Sequence, residues 1–151
     1  MEYHRARLQY QFNKLRPIRE GIYPAFGGNT EFELFAFFEI CYHLKDWIKH
    51  SPECRTFSCV ENFINNSPAL QICADICNTL KHKTLTKPPR SKSIPGLFKI
   101  SSTMTVAPDP SLACVSIDKA TIETVRGEEC CFSLAEECMS EWKRYFSSNG
   151  V

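Results

Sequence analysis

The 151-residue chain has no long apolar run; the longest, Leu34 to Phe38, falls far short of the roughly 20 residues that cross a bilayer. Its N-terminus, Met-Glu-Tyr-His-Arg-Ala-Arg, is charged and has no apolar stretch behind it that could act as an export signal. The expected protein is cytoplasmic and makes no use of a membrane. An excess of one charge is also missing, with 18 Lys and Arg against 17 Asp and Glu, so wholesale electrostatic capture of nucleic acid is excluded. There is no Gly-rich phosphate loop after a strand, no nucleophile elbow, no internal repeat and no low-complexity tract.

Nine cysteines are present, but none is spaced Cys-x-x-Cys, which argues against a structural zinc site or a disulfide framework. Unpaired cysteine is among the most buried residue types, so the thiols are expected to pack as small apolar residues. Apolar content of 43% and aromatic content of 12% suffice for one core, and one domain over residues 1–151 is expected.

The first helix is expected over residues 2–16, with Leu8, Phe12 and Leu15 on one stripe and Pro17 ending it; residues 18–28 then form a connector. Thr30-Glu31-Phe32-Glu33 reads as a capping box opening a second helix to His50, whose apolar face is Leu34, Phe37, Phe38, Cys41, Leu44 and Ile48. Ser51-Pro52-Glu53 and Ser67-Pro68 carry start signals for a third helix, ended by Asn65-Asn66, and a fourth running to about residue 83. A basic loop at 84–96 and a β-hairpin at 97–126 follow, with a turn at Ala107 to Ser111 and a third short strand near Ile122 to Val125. A capping box at Ser133 to Glu136 opens the last helix, 133–147. The fold class is therefore mainly α, a four- to five-helix bundle with a β-hairpin inserted before the C-terminal helix.

Two polar stripes carry the functional candidates. Glu39, His43, Asp46 and His50 follow one another along the second helix at steps that place neighbours in contact; they form either a solvated face or a site facing a partner. On the fourth helix Asp75, Asn78 and His82 share a side almost opposite its apolar face and are expected to face outward. Glu39, His43, Asp46 and His50 opposite Asp75 and His82 could make a carboxylate and histidine metal site, but no Glu-x-x-His pair supports it, and no metal or cofactor is expected. Between Asp75 and Asp109 there is no acid, whereas Lys81, Lys83, Lys87, Arg90, Lys92 and Lys99 are all basic. This segment is a solvated arm or a phosphate-binding surface, and Lys81, Lys83, Lys87, Arg90 and Lys92 are the nucleic-acid candidates.

Asn78-Thr79-Leu80-Lys81-His82 resembles the Asn-x-x-x-His half of the Arg-Asn-x-x-x-His signature of HEPN domains (higher eukaryotes and prokaryotes nucleotide-binding). Together with Cys41-Tyr42-His43-Leu44-Lys45-Asp46-Trp47 it is similar to small bacterial and phage-borne proteins of HEPN-like appearance, over residues 30 to 85. The resemblance implies a homodimeric helical bundle and, in catalytic members, a metal-independent ribonuclease of toxin or phage-defence type. By that resemblance His82 would be the general acid or base, Asn78 its orienting group, and His43 or Asp46 polar support. Cys77 stands where the signature has arginine, and a thiol cannot stabilise charge on a scissile phosphate. The expected function is therefore a non-catalytic HEPN-like binding or regulatory domain contacting RNA or a protein partner, with the His82 ribonuclease as the alternative.

Overall fold

The computed structural model describes residues 1–19, 23–24, 29–81, 88–105 and 114–151. The chain is mainly helical, with a small antiparallel sheet gathered chiefly before the last helix. In order the elements are α1 (Glu2–Arg19), β1 (Tyr23–Pro24), α2 (Thr30–His50), a 3-10 turn (Pro52–Cys54), α3 (Val60–Asn65), α4 (Pro68–Lys81), β2 (Lys99–Thr105), β3 (Cys114–Thr124), β4 (Gly127–Cys130) and α5 (Cys131–Ser148). No helix among the described residues is long and apolar enough to cross a membrane.

Helices α1 and α2 pack along their predicted apolar stripes: Leu8 and Leu15 are buried, as are Leu34, Phe37, Phe38, Cys41, Leu44 and Ile48. The caps differ from expectation. Pro17 lies in the last turn of α1 and not beyond it, where its missing N–H removes one bond near an end that frays in any case. Asn29 caps α2 in place of Thr30: its extended backbone lets its side-chain oxygen accept from the amides of Glu31 at 3.0 Å and Phe32 at 3.3 Å. Glu33, freed from a capping box, accepts from Gln11 Nε2 at 2.6 Å and Lys14 Nζ at 3.4 Å and so ties α1 to α2.

The expected third helix is broken in two. Ser51 makes no side-chain cap; its amide instead closes α2 on the Trp47 carbonyl at 2.9 Å. Ser58 then gives both backbone groups to α5, its N–H to Asn149 Oδ1 at 2.7 Å and its carbonyl to the Tyr145 hydroxyl at 2.6 Å. A continuous helix would need those groups for its own ladder, so α3 begins only at Val60.

Helix α4 is buried on nearly every side: Ala69, Leu70 and the whole run Ile72 to Cys77 are covered. This includes Asp75, only 1% exposed, which was expected to face outward. The cause is residues 88–96, which fold back over α4, with the amides of Arg90 and Ser91 bonding the two Asp75 oxygens at 2.7 and 2.6 Å. Part of the expected basic arm is thus a docked strap.

In the sheet, β3 is central, with β2 along one side and β1 and β4 along the other. Residues 122 to 124, expected as a separate third strand, are the end of β3; the extra strand is β4, joined across Val125 and Arg126. Gly127 closes that turn at φ +99°, in the left-handed region that favours glycine. The turn between β2 and β3 lies outside the described residues. Helix α5 starts at Cys131, directly from the strand and without a side-chain cap, two residues before the expected Ser133 box. Its inner face holds Leu134, Ala135, Cys138, Trp142, Tyr145 and Phe146, all buried as expected. The acids of this end are served locally, Arg126 pairing with Glu129 and Glu137, while Arg90 of the strap pairs with Glu61.

Candidate functional site

Helical spacing places His43 and Asp46 one turn apart on α2, and their side chains meet, with Nδ1 to Oδ2 at 3.1 Å. Asp46 also accepts from Lys45 Nζ at 2.6 Å. Burial pushes the Asp46 carboxyl up, but the bonds from Lys45 and His43 hold it below the usual carboxylate range, so it is ionised at neutral pH. An acceptor at Nδ1 selects the tautomer with the proton there, leaving Nε2 as an acceptor. That nitrogen faces the Cys77 sulfur at 3.9 Å.

Asp46, His43 and Cys77 thus stand in the order of an orienting acid, a base and a thiol nucleophile. The chemistry does not follow. Cys77 is 4% exposed, and burial, with the negative charge of Glu39, pushes its thiol up to about 11. At neutral pH the thiol is protonated and covered, while its S–H is available to His43. Cys77 therefore meets the histidine from within the core.

Beside this pair a groove of about 350 Å³ opens between α1 and α2, lined by His4, Arg7, Glu39, Ile40, His43, Leu44, Asp46 and Trp47. Its rim is aromatic: the His4 and Trp47 rings stack at 3.8 Å, and Tyr3 meets His4 edge-on at 5.2 Å. Trp47 is 49% exposed and Tyr3 is 73% exposed. Burial, the N-terminal ammonium and Arg7 all lower the His4 pKa, so the stacked imidazole is neutral at pH 7. His4, Arg7 and Trp47 were not among the sequence candidates. Trp47 had a readable signal, since a tryptophan one turn from His43 and off the apolar stripe of α2 has no core position to fill.

On the other side of Lys45 the charges form a closed network. Glu61 of α3 takes Arg90 at 2.8 Å and also pairs with Lys49; Arg90 Nη1 reaches Asn65 at 2.8 Å and lies over the Tyr42 ring at 5.9 Å. Burial pushes the Glu61 carboxyl up, but Lys49 and Arg90 outweigh it and hold it low. Arg90, counted as a phosphate ligand from the sequence, is therefore committed to holding the strap on α3 and α4. Lys81 and Lys92 are exposed, Lys92 at φ +71°. Asn78 is half-buried on α4. His82, Lys83 and Lys87 lie outside the described residues, so of the catalytic set only His43 and Asp46 are seen to converge.

The carboxylate and histidine metal site does not assemble among the described residues. Asp75 is bonded to two strap amides, and Glu39 and His50 are exposed on α2. Potential metal donors gather instead at Cys41, Cys73 and Cys138 in the core. No protein-family model matches the chain, and neither the curated proteins nor the solved structures contain a match.

Proposed function

We propose that this chain is a non-catalytic, HEPN-like binding domain whose partner is a polypeptide seated in the groove between α1 and α2. The composition of that groove carries the reading. It joins an open aromatic stack, His4 on Trp47, to one cation, Arg7, and two carboxylates, Glu39 and Asp46. Phosphate recognition calls for clustered Lys and Arg, and acids in the lining oppose it. A half-exposed tryptophan rimmed by charges of both signs suits a protein interface, where aromatic residues and arginine dominate the binding energy. The inward engagement of His43 with Cys77 and the commitment of Arg90 to Glu61 further support binding over RNA cleavage.

The test places a photo-crosslinking phenylalanine analogue at Tyr3 in the full chain and irradiates it in the native cells. A discrete polypeptide adduct is expected, a second copy of this chain included, and Trp47→Ala should reduce it by about tenfold, as befits an aromatic anchor worth roughly 1.4 kcal/mol or more. RNA adducts, or a protein adduct indifferent to Trp47→Ala, would overturn the reading.

A further inference from the structure

We propose that Cys41, Cys73 and Cys138 form an internal three-sulfur site for a soft monovalent cation of the copper(I) class. One cysteine comes from each of α2, α4 and α5, all three are 0% exposed, and their sulfurs lie within 4.8 Å of one another. A cation bonded at about 2.3 Å to three coplanar sulfurs sets them about 4.0 Å apart, so small side-chain movements suffice. The packing of three helices brings these sulfurs together, and sequence spacing contains no trace of it, because they lie 32 and 65 residues apart along the chain.

The donor set selects the ion. Sulfur donors without imidazole or carboxylate favour soft cations, whereas structural zinc takes four ligands and the cluster supplies three. The Cys41 sulfur accepts from the indole N–H of Trp142 at 3.3 Å, a donor that stabilises a thiolate. Cys73 and Cys138 direct their S–H groups to the carbonyls of Phe38 at 3.5 Å and Ala69 at 3.6 Å. On binding, the protons of Cys41, Cys73 and Cys138 leave to solvent as the three metal–sulfur bonds form. Each sulfur bonds the ion with a lone pair of its thiolate, and no electron is transferred. Because the site exists only when α5 has docked on α2 and α4, the ion enters as the chain folds and then fastens that helix.

The experiment refolds the reduced full chain anaerobically with copper(I), supplied as its acetonitrile complex, or with zinc(II), and desalts it. One copper per chain, about three protons released per copper, a raised thermal midpoint and an X-ray absorption shell of three sulfurs are expected. Cys138→Ala should lose the bound copper while its far-UV circular dichroism stays native. The absorption measurement on the unaltered chain decides the matter even if that variant fails to fold. No retained copper, a shell of two sulfurs or of nitrogen and oxygen, or retained zinc in four-coordinate form would each overturn the proposal.

Discussion

Asp75→Ala is expected to lower the thermal midpoint by about 6–12 °C, although the residue lies in what reads from the sequence as a polar outer stripe. Asp75 is 1% exposed and accepts the amides of Arg90 and Ser91, so alanine leaves two strap N–H groups without their acceptor. Hydrogen bonds to a charged group contribute about 1.5–3 kcal/mol each; allowing for partial re-solvation, the pair contributes about 3 kcal/mol. In a chain of this length each kcal/mol moves the midpoint by about 2–4 °C. Asp75→Asn keeps one good acceptor and should lose roughly half as much. Differential scanning calorimetry of the two variants measures this. A midpoint within about 2 °C of the parent for Asp75→Ala would show that the strap is not held by this carboxylate.

Trp142→Ala is expected to cost about 3–5 kcal/mol, the range for emptying a large aromatic site from a core. Its ring is 2% exposed, lies against Phe63, Tyr145 and Phe146, and gives its N–H to Cys41. Alanine leaves a void where α5 meets α2 and α3. Denaturant titration should show a lower midpoint with little change in slope. Trp47→Ala is the internal control: half-exposed and packed chiefly on His4, it should cost no more than about 1 kcal/mol. Equal losses at the two tryptophans would contradict the assignment of one to the core and the other to a surface.

Much of the fold follows from local pattern. The apolar stripe of α2, the inner face of α5 and the inward turn of Cys77 are each set by helical phase, and each is found where phase puts it. What pattern cannot carry is contact between distant segments. Phase assigns Asp75 to a polar side of α4, but that side is dry because residues 88–91 return to cover it. The break before α3 has the same origin, since the backbone of Ser58 is claimed by Tyr145 and Asn149 some 90 residues further on. At the helix starts, Asn29 and Thr30 are both good caps in composition, and the extended backbone at Asn29 decides between them.

The candidate site divides along the same line. The pairing of His43 with Asp46 is legible as an i,i+3 step, whereas the approach of His4 and Arg7 from α1 depends on how two helices pack. The basic arm reads as a row of free charges because sequence shows no acid near it. Glu61 lies 29 residues before Arg90 and neutralises it only in three dimensions.

Incubating the purified chain with unstructured single-stranded RNA in chelator tests most directly the claim that the protein does not catalyse RNA cleavage. Intact RNA from both the parent and His82→Ala is the predicted result; cleavage by the parent that His82→Ala abolishes would contradict it.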